Sequence, residues 1–81
     1  MKTKLGNLTV REKGKVVGFI KGAKAYRAKL LAMGLTKGTE LTVTRVAPLG
    51  DPVEINVRGF ALSLRKDEAS ALLIERGDSH D

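Results

Sequence analysis

Pro48-Leu49-Gly50-Asp51-Pro52-Val53-Glu54-Ile55-Asn56-Val57 joins a loop that cannot be strand to a segment that reads cleanly as one. Neither proline can donate to a β-ladder and Gly50 invites a positive φ, so residues 48–52 form an ordered loop. Beyond it, Val53, Ile55 and Val57 face one way and Glu54, Asn56 and Arg58 the other, the period-two signature of a half-buried strand. On the other side of the loop, Leu41, Val43, Arg45 and Ala47 alternate against Glu40, Thr42, Thr44 and Val46. The two segments are a hairpin. Gly59 then breaks or bulges the ladder, and Phe60, Leu62 and Leu64 alternate with Ala61 and Ser63. Upstream, Lys15-Val16-Val17-Gly18-Phe19-Ile20 is apolar on both alternating faces, which predicts a central or strongly curved strand. Gly14 marks the turn before it. Four short strands around tight turns are too few for a sandwich and enough for a small barrel.

Between the first main strand and the hairpin the period changes. Tyr26, Leu30 and Met33 fall at i, i+4 and i+7, with Leu31 widening the stripe, so Lys24 to Gly34 is a short amphipathic helix that Gly34 stops. Thr36-Lys37-Gly38 is a turn. Near the C-terminus, Asp67 and Glu68 suit the start of a second short helix whose buried side is Ala69, Leu72 and Leu73. Ile74 and Glu75 are expected to form a last strand that closes the barrel. The fold class is therefore mainly β, one domain over residues 1–76, with 77–81 a frayed tail.

Composition narrows the chemistry. The chain has 81 residues, 42% hydrophobic and 30% charged, with no Cys and one His. That length allows one small domain with a shallow site, and the absence of thiols removes disulfide frameworks and thiolate metal sites. Residues 1–38 hold ten Lys plus Arg and one acid (10 − 1 = +9), and residues 39–81 five against eight (5 − 8 = −3). Such a bipolar field suits an acidic protein surface, anionic lipid or nucleic acid. Residues 1–10 lack a signal-peptide core and no segment approaches a membrane span, so a cytoplasmic location is expected, at the membrane only through a partner.

No Walker loop, nucleophile elbow or His-Glu-x-x-His motif is present, and His80 lies in the expected tail. Asp51 and Glu54 alone make a weak cation site. No catalytic residue, cofactor site or metal site is assigned. Lys21, Lys24, Arg27 and Lys29 are the candidate basic surface, and a small basic barrel that binds nucleic acid is the alternative reading. Against it, Arg27 and Lys29 flank the apolar stripe while Lys24 sits apart from both. Stacking platforms are also scarce: Phe19, Tyr26 and Phe60 are the only aromatics, and spacing turns Tyr26 and Phe60 toward the core.

Three runs carry a resemblance. Leu30-Leu31-Ala32-Met33-Gly34-Leu35-Thr36-Lys37-Gly38-Thr39, Arg45 to Ile55, and Val57-Arg58-Gly59 together look like the ferrous iron transport protein A (FeoA) family, extended by Leu62 to Ala69. The resemblance covers about Gly14 to Ile74. It implies an SH3-like barrel and a non-enzymatic cytoplasmic accessory protein of bacterial ferrous iron uptake. The implied partner is FeoB, a membrane transporter with a cytoplasmic GTP-binding domain. Iron then crosses through the partner, since this chain offers few donors for Fe(II). Related barrels also occur appended to iron-dependent repressors, but no helix-turn-helix is present here. Where the family usually has Pro-Gly turns, this chain has Lys13-Gly14 and Lys37-Gly38, and Lys29 stands where an Arg often precedes the Leu pair.

The candidate partner-binding residues are Leu31, Leu35 and the loop Pro48, Leu49, Gly50, Asp51 and Pro52. Met33-Gly34-Leu35 reads as core and helix stop, or with Leu31 as a shallow apolar patch. The loop reads as a register-holding turn, or as a rigid tip presenting Leu49. Arg27, Arg45 and Arg58 are the arginines available for an effect on GTP hydrolysis, with Arg45 and Arg58 also placed to pair with Glu40 or Glu54 across strands. An unpaired sheet edge leaves self-association open.

Overall fold

The computed structural model describes residues 2–77. In chain order the elements are β1 (Lys2–Lys4), a 3-10 turn (Leu5–Asn7), β2 (Lys13–Phe19), α1 (Lys24–Ala32), β3 (Glu40–Val46), a 3-10 turn (Pro48–Gly50), β4 (Val53–Val57), β5 (Phe60–Leu64), α2 (Lys66–Ala71) and β6 (Leu72–Arg76). The strands form one antiparallel sheet in the order β1-β6-β2-β3-β4-β5. β2 is central, as its two apolar faces predict, and a register shift between Val16 and Gly18 bends it.

The alternation in β4 places Val53, Ile55 and Val57 in the core, beside Val16, Val43, Leu64, Leu72 and Ile74. Leu5, Leu30 and Leu35 complete that core and are fully buried. Burial of a side chain of this size contributes about 1.5–3 kcal/mol, so the apolar face of each element is what holds it to the sheet.

Several expectations change. Gly14 is a buried β2 residue paired with Leu41 and Arg76, not a turn. A Cβ there would collide with Ile74 Cγ2, so the close approach of β6 to β2 at this point favours glycine. Only Lys37-Gly38 is a turn, with Gly38 at φ 92°. In β3 the register against β4 shifts between Val43 and Arg45. The alternation therefore flips: Arg45 is exposed and Val46 packs on the core, the reverse of the uninterrupted pattern. Phe60 is 72% exposed rather than core-facing, because it directly follows the Arg58-Gly59 turn on a strand that, among the described residues, lies at the edge of the sheet. Leu72 and Leu73 open β6 rather than lining α2, and β6 lies between β1 and β2 instead of closing the barrel onto β5. The seam between β1 and β5 is spanned by α2, which packs against both. β1 is too short to show any alternation and escapes a reading by period. Gly77 is held, donating to the Lys13 carbonyl at 2.8 Å, while the rest of the expected tail and His80 lie outside the described residues.

Candidate functional site

α1 ends by a Schellman arrangement. The Gly34 N–H donates to the Leu31 carbonyl and the Leu35 N–H to the Leu30 carbonyl, each at 3.0 Å, with Gly34 at φ 91°. Leu30 and Leu35 meet in the core as the accompanying apolar contact. Leu35 is thus fully buried and presents no surface, which removes it from the binding patch. Leu31, one residue after the buried Leu30, is 38% exposed rather than part of the buried stripe.

At 100° per residue, Lys24, Arg27 and Leu31 share one side of α1, and Lys29 lies nearly opposite. The first three face a groove against β2 and the turn that follows it. Val17, Phe19, Ile20 and Leu31 give its apolar lining, and Lys21, Lys24, Arg27 and Lys37 stand around it. Among the described residues no carboxylate lines it. The Arg27 guanidinium lies 5.8 Å from the centroid of the Phe19 ring, within cation–π range, so the ring and the charge hold each other in place. Lys24 and Arg27, separate in the sequence reading, come together here. Lys37 is the member the sequence reading missed; its turn carries it to the groove by tertiary placement alone.

Lys29 belongs elsewhere. Its ammonium pairs with Glu68 Oε2 at 2.5 Å, and Glu68 Oε1 accepts the Arg65 N–H at 2.9 Å. The Lys29 hydrogen bond and then the Arg65 N–H hold the Glu68 carboxyl below its ordinary pKa against the opposing effect of burial. One carboxylate therefore caps α2 and ties it to α1.

The loop after β3 is fixed at its base. The Ala47 N–H donates to the Pro52 carbonyl at 3.0 Å, the Gly50 N–H to the Ala47 carbonyl at 2.8 Å, and Asp51 Oδ1 accepts the Lys66 N–H at 3.3 Å. Leu49 stands out of it, 94% exposed at φ 70°, while Pro48, Asp51 and Pro52 are exposed and Gly50 is half-buried. Arg45 lies directly opposite Glu54 in register, and Arg58 occupies the β4–β5 turn at φ 53°. A second, broader depression is lined by Lys13, Lys15, Arg58 and Arg76 together with Glu40 and Glu75, so its charge is not of one sign. Among the described residues no three His, Cys, Asp or Glu side chains gather as a metal site. No described helix is long and apolar enough to cross a membrane.

Comparison with known proteins adds three relatives. The family model for the FeoA domain matches residues 3–76. A Porphyromonas gingivalis Fe(2+) transport protein A/Fe(2+) transporter FeoB fusion protein is 33% identical over 60 residues, 74% of this chain but 7% of that protein. The solution structure of a FeoA-like protein from Clostridium acetobutylicum superposes with a TM-score of 0.88 at 36% identity, covering 99% of this chain and 92% of that one. A zinc-complexed Stenotrophomonas maltophilia FeoA, described as a procaryotic SH3 domain protein, shares the fold at TM-score 0.76 and 22% identity, over 90% of this chain and 89% of that one. The barrel is SH3-like.

Proposed function

Since the chain belongs to the FeoA domain family, we propose that it is a non-enzymatic, cytoplasmic accessory protein of ferrous iron transport. It docks on the cytoplasmic part of a FeoB-type transporter through the groove between β2 and α1. One observation carries the site: exposed Leu31 and half-buried Phe19 lie among Lys21, Lys24, Arg27 and Lys37, with no acid among the described residues lining the groove. An apolar floor supplies the burial that stabilises a contact, and a single-sign rim supplies orientation and rate. The complementary surface is a segment with an apolar ridge edged by carboxylates. A fusion of the two domains in one relative supports the partnership, because covalent linkage preserves an encounter that is useful between separate chains.

Leu49 offers a second contact. It is an exposed apolar side chain on a loop anchored by Asp51 and Pro52, and little entropy is lost when such a tip docks. For any effect on GTP hydrolysis, Arg27 is engaged with Phe19 and Arg58 sits on a hairpin tip, so Arg58 is the arginine with reach.

The test is capture by the tagged protein from detergent-solubilised membranes of its host, with the retained proteins identified by mass spectrometry. FeoB is recovered by the parent and lost with Leu31→Glu, which changes an exposed side chain and leaves the fold intact. Recovery of nucleic acid or ribosomal components in place of FeoB supports the nucleic-acid reading. Equal recovery of FeoB by both proteins moves docking off the groove.

A further inference from the structure

Between Glu12 and Glu40 the chain holds seven Lys or Arg and no acid. The fold sorts these cations by what neutralises them. Lys13 and Lys15 share their depression with Glu40 and Glu75, and Lys29 pairs with Glu68. Lys21, Lys24, Arg27 and Lys37 all stand exposed around the groove between β2 and α1, and none has an ion-pair partner among the described residues. Four like charges held side by side repel one another, and an anionic surface relieves that repulsion. Their surroundings are apolar. Each exposed side chain of α1 is a cation, an alanine or Leu31, and among the described residues no Ser, Thr, Asn or Gln lines the groove. The site therefore recognises charge and apolar contact, not a pattern of hydrogen bonds.

We propose that this face binds directly to an anionic bilayer, with Lys21, Lys24, Arg27 and Lys37 among the lipid phosphates and Leu31 at the headgroup boundary. Lysine ammoniums are hydrated point charges on flexible stems, suited to a mobile field of phosphates rather than to one fixed ligand. The Phe19 ring already faces the Arg27 guanidinium at 5.8 Å, so it offers a base no open stacking platform, which favours lipid over nucleic acid. Contact of this kind needs no spanning segment. It acts through charge near the surface and an exposed apolar side chain. The inference goes beyond the docking reading without resting on it. Lipid and transporter draw on the same cations, so one molecule binds one or the other, and the lipid holds the protein in the plane where a transporter lies.

Co-flotation of the full chain with vesicles at low salt tests this, using phosphatidylcholine alone and phosphatidylcholine with about 30% phosphatidylglycerol. The parent floats with the anionic vesicles and not with the neutral ones, and high salt releases it. Lys21→Gln/Lys24→Gln lowers the partition coefficient by roughly fivefold for each charge removed, whereas Arg45→Gln/Lys66→Gln, at exposed positions outside the groove, changes it far less. Both variants keep the circular dichroism of the parent. A parent that ignores the anionic vesicles, one that floats equally with both kinds, or equal losses in the two variants would each overturn the proposal. Capture of FeoB without vesicle binding overturns it and leaves the docking reading standing. Binding of single-stranded RNA without vesicle binding overturns it in favour of nucleic acid.

Discussion

Lys29 Nζ stands 2.5 Å from Glu68 Oε2, joining α1 to α2 across the mouth of the barrel, and the two partners differ tenfold in side-chain exposure, 60% against 6%. The pair is therefore asymmetric. Removing the carboxylate frees an ammonium that water already reaches, whereas removing the ammonium strands a buried carboxylate on one backbone N–H.

That asymmetry predicts unequal costs. Lys29→Met should lower stability by about 1–3 kcal/mol, the usual penalty for leaving a buried polar group short of a partner. Glu68→Gln keeps an acceptor for the Arg65 N–H and should cost no more than about 1 kcal/mol. Urea denaturation of both variants checks the order; a costlier Glu68→Gln contradicts it.

The same carboxylate sets an acid limb. The Lys29 hydrogen bond depresses the folded-state pKa of Glu68 below its ordinary 4.5. The Thr9 backbone N–H does the same for Glu12, assisted by the Thr9 hydroxyl and Arg76. A depressed carboxylate contributes stability that is complete above the unfolded-state pKa and lost as pH falls through the folded value. Melting temperature should be flat from pH 7 to about 5 and fall below about 4.5. Glu68→Gln should flatten the fall, with Glu12 supplying the slope that remains.

Gly14 and Ile74 should couple. A methyl at residue 14 meets Ile74 Cγ2 and lies 3.2 Å from the Glu75 carbonyl oxygen. Gly14→Ala should cost about 1–3 kcal/mol through overpacking. In an Ile74→Ala background, where the obstructing side chain is gone, the same change should cost distinctly less. A double-mutant cycle by chemical denaturation reads the difference, and strict additivity would refute the collision.

Leu49 is held at φ 70°, a left-handed conformation that costs a non-glycine residue about 1–2 kcal/mol. Glycine removes that cost and adds roughly 0.5–1 kcal/mol of unfolded-state entropy. Leu49→Gly should therefore stabilise the fold by up to about 1 kcal/mol, while deleting an exposed apolar contact. Calorimetry together with FeoB capture separates the two effects: a more stable protein that captures less transporter marks Leu49 as a docking residue.

Docking through a cationic rim should weaken with salt. Capture of FeoB by the parent should fall steadily between 50 mM and 500 mM salt as the Debye length shrinks from about 14 to 4 Å. Arg27→Ala should bind less at low salt and show a shallower decline. A salt-insensitive capture would leave the apolar floor alone as the contact.

Local pattern determined much of this protein. Alternation in Val53–Val57 and its neighbours, the i, i+4, i+7 stripe of Tyr26, Leu30 and Met33, and the stop at Gly34 are written in consecutive residues, because side-chain direction in a strand or helix follows from period alone. Tertiary structure decided the rest. A register shift in β3 exchanged the faces of Arg45 and Val46, and Gly14, read as a turn, proved to be a strand residue packed against Ile74. Lys37 reached the groove of Lys24 and Arg27 while Lys29, on the same helix, turned away to Glu68. Bulges, close approaches and convergence of distant segments depend on which strand lies beside which, and no period along one chain encodes that neighbour.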